Sequence, residues 1–188
     1  MKRIVLASLS ALLLFSLLIP VGPVARAEET TCRGTLGNVT VDNLRVPQNG
    51  KCTLNGTFVK GTIKVENGAT LNAKGVKVIG NVQAEGAAAV NVTSNSTVGG
   101  SIQVKQGGAA KIDKVTVQGD IQFDANKKAL TASNNKVGGN IQAMQNTGGV
   151  TISKNTVDGN LQCKENKPAP TGGGNIVKGS KEDQCARL

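Results

Sequence analysis

One short phrase recurs through this chain and limits what it can fold into. "VIGNVQA" starts at Val78, "VGGSIQV" at Val98, "VQGDIQF" at Val117, "VGGNIQA" at Val137 and "VDGNLQC" at Val157, with a degenerate copy, "VKGTIKV", at Val59. Taking the glycine before the polar residue as origin gives Gly61, Gly80, Gly100, Gly119, Gly139, Gly159 and Gly179, at steps of 19 or 20 residues. A period of this size is the mark of stacked coils, each a unit that buries its apolar side only against its neighbours. Nineteen residues before Gly61 stands Asp42, and "DNLRV" at Asp42 to Val46 fits as a first copy without the glycine. About seven coils result.

The content of one coil follows from alternation. Two and four residues after the origin stand Ile63 and Val65, Val82 and Ala84, Ile102 and Val104, Ile121 and Phe123, Ile141 and Ala143, Leu161 and Cys163. A period of two means strand rather than helix. A second alternating segment follows, such as Val90-Asn91-Val92 or Val150-Thr151-Ile152, and a third ends in Val78, Val98, Val117, Val137, Val157 or Val177. Three short strands per turn describe an all-β, single-stranded parallel β-helix. With coils about 4.8 Å apart, seven of them make a rod about 34 Å long. Leucine-rich repeats share the coil length but need a leucine-asparagine consensus that is absent here.

This architecture gives each residue of the phrase a task. Glycine marks the corner between the third and first strands, where a side chain or an ordinary φ is costly. The short polar residue after it, Thr62, Asn81, Ser101, Asp120, Asn140, Asn160 or Ser180, suits hydrogen bonding to turn backbone. Between the two inward apolar positions lie Lys64 and then Gln83, Gln103, Gln122, Gln142 and Gln162. These five glutamines form one outward file, an amide ladder and the candidate binding face. The next outward file reads Glu66, Glu85, Lys105, Asp124, Met144 and Lys164. Its carboxylates suggest glycoside hydrolysis or a calcium site, against the simpler reading of an alternating-charge ladder, which is preferred.

The cysteines fit the rod as well. Cys32 and Cys52 are 20 residues apart, and Cys163 and Cys185 are 22 apart, each about one coil. Residues stacked one coil apart lie within disulfide range, so these two pairings are expected, one closing each end. With no histidine in the chain and no CxxC pair, zinc is not expected, nor any other metal or cofactor.

The chemistry of catalysis is thinly represented. The chain has no His, Tyr or Trp, and neither GxSxG nor a phosphate-binding loop. The expectation is therefore a non-enzymatic protein. At the N-terminus, Lys2 and Arg3 precede an apolar run from Ile4 to Val21 that leads into "PVGPVARA". This reads as a signal peptide over residues 1–27, cleaved after Ala27, with a β-helix domain over residues 28–188 that is secreted and no longer attached to a membrane. Four sequons, at Asn38, Asn55, Asn91 and Asn95, matter only in a eukaryotic secretory route. The domain carries 19 Lys and Arg against 12 Asp and Glu, a balance of +7 spread along the sequence. Such a diffuse charge suits loose contact with an acidic cell-envelope polymer or polysaccharide. Specific nucleic-acid binding is not expected, because Phe58 and Phe123 are the domain's only aromatic residues and offer no stacking platform.

Two tracts, "CTLNGTFVKGTIKVENGATLNAKGVKVIGNVQAEG" and "GNLQCKENKPAPTGGGNIVKGSKEDQC", resemble a group of small secreted bacterial β-helix proteins, chiefly actinobacterial. The resemblance covers essentially the whole domain and implies a secreted, right-handed β-helix. The glycine and valine rhythm is also similar to that of bactofilins, cytoplasmic proteins that polymerise end to end. This chain departs from them in its signal sequence and cysteines. Three functions are carried forward: an extracellular structural or binding protein, monomeric or weakly self-associating, extracellular or bound to the cell wall; a carbohydrate-active enzyme using Glu66, Glu85 and Asp124; and a self-assembling fibre former.

Overall fold

The computed structural model describes residues 28–188; the expected signal peptide lies outside the described residues. Every described strand is parallel to its neighbours, and the strands fall into three sheets of nine, eight and eight. The first sheet runs from Glu29–Thr31 to Lys181–Asp183, the second from Thr35–Leu36 to Thr171–Gly173, and the third from Thr40–Val41 to Ile176–Val177. Successive strands pass from the first sheet to the second to the third and back, which is the expected β-solenoid. The seven coils read from the repeat are flanked by a shorter N-terminal turn, holding the first strand of each sheet, and by a closing strand, Lys181–Asp183.

The register joins identical repeat positions. Ile102 pairs with Ile121 and Ile121 with Ile141, while Val104, Phe123 and Ala143 form the adjacent inward file. All six are at most 1 % exposed. The alternation places one apolar file after another against a narrow interior, and steric fit is local: the one core phenylalanine sits directly below Ala143, whose small side chain leaves the space it fills. The third sheet contributes a single inward valine per coil, from Val59 through Val157, because its strands are only two residues long.

The polar residue after each origin acts as expected, but between coils rather than within one. Asn43 Oδ1 accepts from the Thr62 amide, Thr62 Oγ1 from Asn81, Asn81 Oδ1 from Ser101, Ser101 Oγ from Asp120, Asp120 Oδ1 from Asn140, Asn140 Oδ1 from Asn160, and Asn160 Oδ1 from Ser180. This unbroken chain explains the glycine. The origin glycines do not have positive φ, which corrects that part of the expectation. Their reason is space: a Cβ on Gly139 would collide with Asp120 Oδ1 and lie 3.0 Å from the Gly119 carbonyl. Left-handed backbone occurs instead at the other two corners, where later coils hold it with ordinary residues such as Lys114 (φ 57°), Ala125 (φ 54°) and Glu165 (φ 57°). Each such residue costs about 1–2 kcal/mol.

Those later corners carry a feature that the repeat does not announce. Asn126, Asn146 and Asn166 turn inward at the corner between the first and second sheets, each at most 2 % exposed. Asn146 Oδ1 accepts from the backbone amide and the side-chain amide of Asn126, and Asn146 Nδ2 donates to the Phe123 carbonyl and to Asn166 Oδ1. A parallel ladder, Asn135, Asn155 and Asn175, lines the corner between the second and third sheets. Every buried side-chain polar atom among the described residues has a partner. A satisfied network of this kind fixes one register, since a slip would leave several buried donors orphaned.

Both expected disulfides are present, Cys32–Cys52 and Cys163–Cys185, with Cα separations of 5.5 and 5.2 Å. The reason differs from simple stacking of one file. Cys32 follows the first strand, whose Thr31 pairs with Arg45 only 14 residues on, whereas Thr35 pairs with Thr53, 18 residues on. The shortened turn brings Cys32, at the end of the first sheet, onto Cys52 inside the second. Cys185 lies in the turn beyond Lys181–Asp183, where Cys185 N–H donates to the Glu182 carbonyl and the tail folds back over Cys163. Both bonds are buried and close the core at its ends, each contributing about 3 kcal/mol in the chain-entropy model.

Candidate functional site

The outward glutamine file stands on the first sheet in register. Lys64 pairs with Gln83, and Gln83, Gln103, Gln122, Gln142 and Gln162 follow in succession, with Glu182 above them. Because every coil contributes the same position, the file repeats at strand spacing of about 4.8 Å. Gln103 Nε2 donates to Gln122 Oε1 at 3.0 Å, Gln142 Nε2 to Gln162 Oε1 at 2.8 Å, and Gln162 Nε2 to Glu182 Oε2 at 2.7 Å. The ladder thus has links in its middle and C-terminal parts, while Gln83 is exposed at the N-terminal part.

At that exposed end a shallow groove of about 750 Å³ crosses four coils, lined among others by Lys64, Glu66, Gln83, Glu85, Gln103 and Lys105. Its floor is the first sheet, and one wall is the corner residues Gln48, Asn67 and Gln106. Amide and charged groups dominate it.

The acidic file is also in register: Glu85 pairs with Lys105, Lys105 with Asp124, Asp124 with Met144 and Met144 with Lys164. Glu66 occupies the same position one coil before Glu85, but its carboxylate is committed downward. Glu66 Oε2 accepts from the Gln48 backbone amide at 2.9 Å, and Oε1 lies 3.5 Å from Arg45, which also contacts Glu29 at 2.8 Å. Both oxygens of Glu66 are therefore engaged, one by a backbone amide and the other by an arginine. Lys105 stands between Glu85 and Asp124, as an alternating-charge ladder requires. Among the described residues, no three acidic or cysteine side chains gather closely enough to hold a metal ion.

Elsewhere, charges pair along the corner between the third and first sheets. Lys60 Nζ lies 3.0 Å from Asp42 and Lys178 Nζ 2.9 Å from Asp158. The hydrogen bond from Lys60 and its positive charge hold the exposed Asp42 carboxyl below the usual carboxylate range.

The sequence matches no protein-family model, and comparison with curated proteins and with solved structures returns no significant similarity.

Proposed function

We propose that this chain is a secreted, non-enzymatic β-helix protein that serves as a rigid structural or binding element of the cell envelope and holds an extended polysaccharide along its first sheet. The observation that carries this reading is the glutamine file and its groove. A chain of pyranose rings advances by about one strand spacing per residue, so a polymer lying along the rod axis meets an equivalent amide at every coil. Two disulfides suit an oxidising environment. Regular coils of 19 or 20 residues carry no long insertion to wall off a water-excluding cleft, and Glu66 is already engaged.

The fibre-forming alternative has less support. At the C-terminal end Gln184 accepts from the Asn166 backbone and side-chain amides and donates back to the Asn166 carbonyl. Leu188 packs against the core there. This tail covers the corner between the first and second sheets and the end of the core, where a further coil from another copy would have to stack.

A glycan array tests the proposal. The protein without residues 1–27 is expected to retain one or more polysaccharides without releasing reducing ends, and Gln83→Ala with Gln103→Ala is expected to weaken retention at least tenfold. Cleavage that disappears in Glu66→Gln/Glu85→Gln would establish the enzyme reading instead.

A further inference from the structure

The positive charge that reads as diffuse along the sequence is not diffuse on the fold. Six lysines converge on the corner between the second and third sheets. Lys111 stands mid-strand in the second sheet, Lys74 ends a strand there, Lys114 and Lys154 occupy the left-handed corner position, and Lys77 and Lys136 open strands of the third sheet. All six are exposed. Asp113 is the single acidic residue among them, and its carboxylate accepts from Asn134 Nδ2 at 2.9 Å. This edge therefore carries +5 of the domain's +7, while the other 13 cations and 11 acids leave only +2.

Among the described residues the ion pairs engage Arg45, Lys60 and Lys178 on other parts of the surface, and none engages these six lysines. The lysines extend over five successive coils, about 19 Å along the axis at strand spacing. Thr97 and Thr116 stand between Lys77 and Lys136 in one file with Thr156 beyond, and Thr93, Ser133 and Ser153 share the neighbouring file with Lys74 and Asp113.

We propose that this edge is a second binding surface, distinct from the glutamine face, and that it takes a linear acidic polysaccharide whose carboxylates follow the rod axis. The array is linear, so its complement is a linear polyanion rather than a point ligand. The cations are all lysine, mobile point charges on long stems, and not the planar arginine forks suited to bidentate phosphate. The hydroxyls between them match the hydroxyls of sugar rings. A nucleic acid is the less fitting polyanion: among the described residues the only ring on this surface is Phe58, and Lys77 Nζ lies 5.1 Å over its centroid, so they offer no base platform.

The inference goes beyond the polysaccharide-binding reading and has its own failure. Binding of polygalacturonate, its fully methyl-esterified form, a neutral β-glucan and single-stranded DNA is measured across a salt series for four proteins: the unmodified domain; Lys114→Glu/Lys136→Glu/Lys154→Glu; a control of equal charge change on another corner, Lys127→Glu/Lys128→Glu/Lys167→Glu; and Gln83→Ala/Gln103→Ala. The unmodified domain is expected to bind polygalacturonate but not the ester, more weakly as salt rises. The edge variant is expected to lose at least tenfold, against less than threefold for the control, with unchanged melting of both. Equal losses in edge variant and control, DNA binding as tight as polygalacturonate, or no polygalacturonate binding each overturns the edge assignment. Neutral-glucan binding lost only in the glutamine variant leaves the glutamine-face reading standing whatever happens at the edge.

Discussion

Replacing Ile121 by Asp is expected to unfold the middle of the rod. Ile121 is fully buried, paired with Ile102 below and Ile141 above. An aspartate there has apolar neighbours on both sides along its file. It either buries an unpaired charge or takes up a proton, and either route costs several kcal/mol. Total stability of a domain this size is about 5–15 kcal/mol, so the loss is a large share of it. Gln122→Ala, one residue away and facing out, removes one partly exposed amide contact to Gln103 and is expected to change stability by less than about 1 kcal/mol. Urea denaturation reads the contrast, and similar midpoints for the two variants would mean that the inward and outward assignments are wrong.

Asn146→Ala is expected to be nearly as damaging although it removes no apolar contact of note. The side chain accepts from the Asn126 backbone amide and from Asn126 Nδ2, and it donates to the Phe123 carbonyl and Asn166 Oδ1. Truncation leaves the Asn126 amide buried without this acceptor, at about 1–3 kcal/mol for an orphaned donor, with further loss from the other broken contacts. The expected sum is about 3 kcal/mol, with amide exchange accelerating first around Asn126 and Phe123. Asn67→Ala is the control: that side chain is exposed and its backbone is not left-handed, so a loss below about 1 kcal/mol is expected. Equal effects for the two asparagines would refute the buried ladder.

These particular residues also show where sequence reading stops. Ile121 and Gln122 were legible because strand alternation and a fixed coil length are both periodic signals, and two such signals determine which residues share a file. Asn146 was not, for turn asparagines have the same composition whether they face water or the core. The ladder is moreover interrupted at Gly107 and Val115, whose backbone amides it caps without a side chain of their own to continue it. The N-terminal turn escaped because its 14-residue step between Thr31 and Arg45 breaks the period. The basic edge escaped for a geometric reason: Lys74, Lys77, Lys111 and Lys114 stand at different offsets from their glycine origins, and only folding around one corner makes them neighbours. The glutamine face was visible as a file, but the groove at its exposed end depends on the corner residues Gln48, Asn67 and Gln106.

Every functional surface proposed for this molecule depends on coils stacked in one register, and that register can be observed bond by bond. Ile102 N–H donates to the Asp120 carbonyl at 2.9 Å, Ile121 N–H to Asn140 at 2.9 Å, and Ile141 N–H to Asn160 at 3.0 Å. Scalar couplings across hydrogen bonds, measured by NMR on the ¹⁵N,¹³C-labelled oxidised domain, are expected to link each of these amides to the carbonyl one coil ahead. Couplings to carbonyls within a few residues, or to partners that run antiparallel, would contradict the solenoid and with it both binding surfaces.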